Sequence, residues 1–370
     1  MKSGDYIYVW QLPDWPQWRY NASALAPLLA QVHQALGQLL GRMRDQGVSA
    51  KSHATLEALT EDVLKTSEIE GEHLSPDSVR SSIATRLGVD IGAIAPADRH
   101  VDGVVEMILD ATRAHHTPLT AQRLTDWHTA LFPTEQRSQS EINVGVWRND
   151  VQGPMQVVSG ATYKRRVHFE APPAARLPSE IADFLLWFET YQELDPLIKA
   201  GLAHLWFVTV HPFDDGNGRI ARAIGDLSLA RADQSEQRFY SLSAQIQKER
   251  KDYYALLEKT QKGNLEATEW LSWFLACLLR ALQEADSVLS NVLSKANFWT
   301  RWASTPLNAR QIKVLNRMLD GFEGKLSNKK WAAISKCSSD TALRDINDLV
   351  ERGILRRTET GGRSTSYALT

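Results

Sequence analysis

Only two cysteines occur in 370 residues, Cys277 and Cys337, and they stand far apart. That excludes a disulfide framework and any cysteine-ligated metal spacing, and it makes a reducing cytoplasm the expected setting. Long apolar runs are missing as well. The greasiest stretch, Trp270 to Leu282, is broken by Ser272 and Arg280 and is too short to cross a bilayer. The opening MKSGDYIYVWQLPDW lacks an apolar core of signal-peptide length. No membrane partner is expected. Net charge is almost absent, at −2, so nothing draws the whole chain toward nucleic acid or lipid. There are no repeats and no low-complexity tracts, and 43% apolar with 23% charged residues is the composition of a folded globular chain.

What charge there is lies unevenly. From Thr305 to Thr370 there are 12 Lys+Arg against 7 Asp+Glu, leaving 30 against 37 for the rest. The order of elements changes at the same place. Up to Leu293 most of the sequence reads as helix, with periodic apolar residues over Ser23–Arg44, Ala54–Ile69, Asp77–Leu87, Asp98–Arg113, Thr120–Leu131, Pro178–Tyr191 and Pro196–Val210. Helix resumes after Arg219 to Ala230, then over Lys248–Lys262 and Thr268–Leu293. Ser23 and Thr120 read as N-caps, and Pro178 suits a first turn. The aromatic opening, with Trp10, Trp15 and Trp18, reads as an extended arm packed on the body. Between Gly145 and Pro173, β-branched runs separated by Gly predict a hairpin. After Thr305, helices over Leu307–Leu319, Asn328–Ile334 and Ser339–Arg352 precede two short strands around a Gly-Gly turn, the order of a winged helix-turn-helix.

Chemistry concentrates in one loop, His211 to Arg222, HPFDDGNGRIAR. It follows a buried-looking helix and opens another. Gly216 and Gly218 let the backbone turn tightly and approach a ligand. Free amides at the start of the next helix attract phosphate oxygens. Arg219 and Arg222, three apart, can reach one anion from the same side. Asp215 is a hard carboxylate suited to Mg²⁺, and His211 can act as a base near neutral pH. Other phosphate motifs fail: there is no GxxxxGK[ST], GNGR does not continue as GxGxxG, and DDGNG lacks the closing Glu of a calcium loop.

HPFDDGNGRIAR resembles the motif HPFx[D/E]GNGRxxR of the Fic-domain adenylyltransferases, mostly helical enzymes that move AMP from ATP onto a protein hydroxyl. The resemblance implies a mainly α fold, a Fic-type helical bundle with a β-hairpin flap plus the C-terminal winged helix. It implies that His211 takes the proton of an attacking Ser, Thr or Tyr hydroxyl and that Asp215 holds Mg²⁺. Gly216, Asn217 and Gly218 would form the anion hole, with Arg219 on the phosphate chain and Arg222 on the γ-phosphate. KTSEIEGEHL resembles the family's inhibitory motif [S/T]xxxE[G/N] through Thr66, Glu70 and Gly71, which implies that Glu70 competes with the γ-phosphate for Arg222. The hairpin within Gly153–His168 resembles the flap that holds a target segment, lined by Val157, Val158 and His168. Tyr253, Leu257 and Gln261 share one helical face, which by resemblance borders the adenine, although plain core packing explains Leu257 as well.

The resemblance spans essentially the whole chain and suggests three parts: residues 1–95, a helical region with the arm and inhibitory helix; 96–295, the catalytic domain; and 305–370, the winged helix. ATP and Mg²⁺ are the implied substrate and cofactor, with a target protein along the flap and a homodimer as further expectations. Two alternatives belong to other readings. Glu70 could activate water to remove AMP from a modified protein. The tail could bind DNA through Lys329, Lys330, Arg344, Arg356, Arg357 and Arg363, against which stand Asp340, Asp345 and Asp348 on the recognition helix.

Overall fold

Apolar residues recurring every three to four positions fold most of the chain as helix. The structure is a computed structural model, and it describes residues 8–92, 96, 99–133, 142–160, 165–319, 325–358 and 365–370. Contacts divide it into two compact units, Met1–Ala285 and Asp286–Thr370. Among the described residues no helix is long and apolar enough to cross a membrane.

In the first unit α1 spans Ala22–Arg44, α2 Val48–Ile69, α3 Pro76–Leu87, α4 Arg99–Arg113 and α5 Ala121–Leu131. Strands β1, Gln156–Ser159, and β2, Arg166–Glu170, pair antiparallel, with Val157 opposite Phe169 and an irregularity between Val157 and Val158. Then come α6 Leu177–Thr190, α7 Pro196–Val210, α8 Asn217–Asp233, α9 Leu242–Lys248, α10 Arg250–Gln261 and α11 Thr268–Arg301, whose residues from Asp286 on belong to the second unit. The N-terminal helices pack into the same unit as the central ones, α2 against α9 and α4 against both α5 and α8. The core is built around α7 and α8, which are buried almost end to end. That burial on all sides fixes the turn between them, which is the His211–Gly216 loop.

Some boundaries differ from the sequence reading. The cap of α1 is Asn21, whose side chain accepts from the Ala24 amide at 3.0 Å, so Ser23 falls inside the first turn. Helix α2 begins at Val48, after Gly47, which stands extended at its N-cap. The Lys248–Lys262 segment splits at Glu249 into α9 and α10. Thr120 caps α5 as expected, accepting from Arg123 N at 3.1 Å.

The aromatic arm braces the β1–β2 hairpin. Trp10 Nε1 donates to Glu170 O at 2.7 Å, Tyr8 meets Phe169 edge-on at 5.2 Å, and Val157 packs into the same cluster. Trp15 donates to Glu180 at 2.8 Å and sits edge-on against Trp206. Residues 1–7 and 161–164 lie outside the described residues.

Gly103 is a point of close approach. A Cβ there would run into the carbonyl oxygen of Ala130, where α4 crosses α5. Gly103→Ala is therefore expected to cost about 1–3 kcal/mol of stability through overpacking, read as a lower urea midpoint with an unchanged slope.

In the second unit α12 Ala309–Leu319, α13 Asn328–Ser335 and α14 Ser339–Glu351 are followed by β3 Leu355–Thr358 and β4 Ser366–Leu369, which pair antiparallel. Trp331, Val314, Leu315, Ile346 and Leu349 form its core. Asp345 and Asp348, read above as acids set against DNA, turn toward α12 instead. Asp345 takes Arg310 Nε at 2.8 Å and Asn308 Nδ2 at 2.9 Å, and Asp348 takes Gln311 Nε2 at 2.7 Å. The Gly-Gly turn and Arg363 lie outside the described residues.

Candidate active site

Helix α7 ends at His211, which adopts a left-handed conformation, φ 51°, and closes the helix by donating its amide to Phe207 O at 3.0 Å. Its imidazole Nδ1 lies 3.2 Å from Val208 O. A carbonyl only accepts, so Nδ1 carries the proton and Nε2 is left bare, the tautomer a general base requires. Burial pushes the His211 pKa down to about 4, with Arg148 adding to the effect against the Val208 hydrogen bond and Glu70. The ring is therefore neutral at pH 7.

Arg148, which the motif does not contain, pins this turn from outside. Its side chain is fully buried, its Nε donates to His211 O at 2.7 Å, and its amide donates to Pro212 O at 2.9 Å. Asn217 pins it from inside, accepting from Phe213 N at 3.0 Å and donating to Phe213 O at 2.8 Å. Its side chain is thus spent on the loop, and what it can offer an anion is its amide. Gly216, φ 78°, precedes α8 and accepts from Ile220 N at 3.0 Å. The amides of Asn217, Gly218 and Arg219, in the first turn of α8, have no carbonyl within the helix to bond.

Above this helix start lie two guanidinium groups and two carboxylates. Arg222 is buried; its Nε donates to Thr66 Oγ1 at 2.7 Å, and Nη2 donates to Thr66 O at 2.9 Å and meets Glu70 Oε1 at 2.8 Å. A Cβ on Gly218 would collide with Glu70 Oε1, so only glycine leaves room for a negatively charged oxygen there. Burial works to raise the Glu70 pKa, but Arg222, Arg219 and Tyr254 outweigh it and hold it below the usual carboxylate range. Gly71, φ 89°, then turns the chain so that Glu72 reaches the other arginine. Arg219 Nη1 donates to Glu72 Oε2 at 2.7 Å, and His100 Nε2 lies 3.3 Å from the same oxygen. The Arg219 guanidinium also stacks on Phe132 at 5.2 Å.

The fit to a polyphosphate can be tested on these atoms. Arg219 Nε and Arg222 Nη1 are buried and have no hydrogen-bond partner among the described residues. Two orphaned cationic donors beside three unpaired amides suit an anion of several oxygens. Asp215 Oδ1 accepts from Gly216 N at 2.6 Å, and its side chain is 57% exposed at the rim. No cluster of three or more His, Cys, Asp or Glu among the described residues forms a complete metal cage. One carboxylate with phosphate oxygens is, however, the donor set Mg²⁺ commonly takes.

Tyr253, Leu257 and Gln261 do lie on one face of α10, but that face is turned into the core. Tyr253 Oη pairs with His204 Nε2 at 2.9 Å, and Gln261 Nε2 is directed at Val208 O and Thr209 Oγ1 on α7. Packing accounts for all three. The α10 residue that faces the anion cradle is Tyr254, whose hydroxyl is 3.3 Å from Glu70 Oε2. Val157 packs on the aromatic arm, while His168 bridges Ser159 and Glu258. Glu72, His100, Arg148 and Tyr254 were not singled out by the sequence; of these, only the Glu72 carboxylate two residues past Glu70 offered a signal.

Residues 118–229 match the Fic/DOC family, and residues 8–89 match a domain of unknown function, DUF4172. The chain is 35% identical over 88 residues to "Protein adenylyltransferase fic-1" of Caenorhabditis briggsae, covering 23% of this chain and 16% of that protein. It is 24% identical over 230 residues to "Protein adenylyltransferase Fic" of Drosophila willistoni, covering 59% and 40%. The chain thus spans well under half the length of these relatives. A Fic family protein from Desulfovibrio desulfuricans has a similar fold, with a TM-score of 0.54 at 20% identity over 95% of this chain and 97% of that one. Residues 118–229 are thus similar to the Fic/DOC family, and the fold is similar to that of a Fic family protein.

Proposed function

We propose that this protein transfers AMP from ATP to a Ser, Thr or Tyr hydroxyl of a target protein and of itself, releasing pyrophosphate, and that Glu70 restrains the reaction. The observation that carries the reading is the join of a bare His211 Nε2 to an anion cradle whose arginines have unpaired donors. The amides of Asn217, Gly218 and Arg219 bind the phosphate chain, with Arg219 and Arg222 neutralising its charge. His211 takes the proton of the incoming hydroxyl as its oxygen attacks the α-phosphorus. Asp215 would hold Mg²⁺, which when bound offsets phosphate charge.

Restraint follows from charge. The Glu70 carboxylate, against Gly218 and Arg222, occupies the place an anionic oxygen of ATP needs. Glu72 does the same to Arg219, so both arginines of the loop are engaged by acids of one short segment. The alternative in which Glu70 activates water is less well supported, because its carboxylate is committed to Arg222 and held below its usual pKa range, which makes it a weak base.

The reading is tested by incubating the protein and its Glu70→Gly variant with Mg²⁺ and ATP labelled at either the α- or the γ-phosphate. Protein-bound label is expected from the α position alone. Label from the γ position would replace AMP transfer by phosphorylation.

A further inference from the structure

The flap carries a side-chain arrangement that binding a target strand does not require. Ser159, the last residue of β1, is exposed, and its Oγ lies 2.6 Å from His168 Nε2 on β2. The other ring nitrogen, Nδ1, lies 2.7 Å from Glu258 Oε2 on α10. A carboxylate only accepts, so Nδ1 is the protonated nitrogen, and in the neutral ring Nε2 then accepts from the Ser159 hydroxyl. Glu258 is itself fixed, by Lys262 Nζ at 2.8 Å and Arg166 Nη2 at 3.0 Å. Burial works to raise the Glu258 pKa, but hydrogen bonds from Lys262, His168 and Arg166 take it down to about 2, so it is a carboxylate throughout the working range.

This Ser-His-Glu line is tied to the anion cradle. Glu258 lies one helical turn beyond Tyr254, on the same side of α10. The Tyr254 hydroxyl reaches Glu70, and Glu70 lies against Arg222 and Gly218. A serine hydroxyl on an exposed surface usually rotates freely. Here an oriented imidazole holds one, linked through Glu258 and Tyr254 of α10 to a site suited to a nucleotide triphosphate, and holding a reactant in place is itself a large part of lowering a barrier.

We infer that Ser159 is the hydroxyl this protein modifies on itself, with His168 and Glu258 as its positioning residues. The inference rests on the AMP-transfer reading above. In the step, Ser159 Oγ bonds to the α-phosphorus of ATP and the bond from that phosphorus to the bridging oxygen breaks. Pyrophosphate leaves with the electron pair, and the hydroxyl, turned away from His168, gives its proton to His211. The product is Ser159 esterified with AMP.

The Glu70→Gly protein, incubated with ATP and Mg²⁺ and mapped by mass spectrometry, tests this. AMP is expected on the peptide that holds Ser159. Ser159→Ala in the same background should lose about nine-tenths of the label or more, and Ser159→Thr should restore part of it. His168→Gln should slow labelling about tenfold while leaving ATP affinity unchanged, a split that general loss of structure would not give. Equal labelling of Glu70→Gly and its Ser159→Ala form, with AMP mapped elsewhere, overturns the Ser159 assignment and leaves AMP transfer intact. No AMP on any residue of Glu70→Gly overturns both.

Discussion

Glu70→Gly is expected to raise self-labelling from ATP carrying label at the α-phosphate by roughly ten- to a hundredfold over the wild-type protein. The size follows from what is freed. A charge-assisted hydrogen bond to a buried guanidinium is worth about 1.5–3 kcal/mol, and each 1.4 kcal/mol is a factor of ten in occupancy. That bond belongs to Glu70, 2.8 Å from Arg222 Nη2, and on the proposed reading ATP displaces it. Glycine removes the competing charge and opens the space beside Gly218, while Thr66 still holds Arg222 through its hydroxyl and its carbonyl. Adding Glu72→Gln should raise labelling again, because Arg219 is then released as well. Acid does not mimic these substitutions. The Glu70 carboxyl is held below its usual range, so the stability it adds is fully present above the ordinary carboxylate pKa and is lost only as pH falls through its lowered value. At neutral pH the Glu70 carboxylate is fully charged. Equal labelling of wild type and Glu70→Gly would show that Glu70 restrains nothing.

His211→Ala, made in the Glu70→Gly protein, should lower labelling by about 10²–10⁴-fold, the usual contribution of a positioned base. The imidazole is prepared for the task in three ways. The end of α7 places it, the Val208 carbonyl fixes its tautomer, and burial keeps it neutral. The last point sets a pH signature. A base with its pKa lowered to about 4 is deprotonated throughout the neutral range, so labelling should be nearly flat between roughly pH 8 and pH 6 and fall only as acid approaches that value. A profile that halves near the ordinary histidine range would mean that another group, or a more exposed His211, carries the proton. Because Arg148 and Asn217 hold the turn through other atoms, the alanine variant should keep its fold and its affinity for ATP.

How much of this was legible in the sequence depended on whether a residue's role is local. Gly216 and Gly218 announce themselves because close backbone approach requires glycine, and Arg219 and Arg222 because three-residue spacing puts them on one side of a helix. Thr66 and Glu70 could be paired with Arg222 only by resemblance, and in the fold they sit at the C-terminal end of α2, more than 150 positions earlier in the chain. Glu72 on Arg219, Arg148 on His211 and Tyr254 on Glu70 are contacts between distant segments, and no periodicity encodes them. On α10 the sequence left two readings open for a related reason. Tyr253, Leu257 and Gln261 do form a stripe, but a stripe on an amphipathic helix marks burial first, and here it packs on α7. At Asn21 and Ser23 two capping residues compete, and the earlier one wins because it sits where the chain is still extended, as an N-cap requires.

The central claim is that one turn, from His211 to the start of α8, grips a nucleotide triphosphate and presents its α-phosphorus to an imidazole. The most direct test is a crystal structure of the Glu70→Gly protein with ATP and Mg²⁺. The account predicts phosphate oxygens on the amides of Asn217, Gly218 and Arg219, the terminal phosphate on Arg222, and the α-phosphorus facing His211 Nε2. A nucleotide bound away from this turn, or an imidazole turned away from the α-phosphorus, would contradict it.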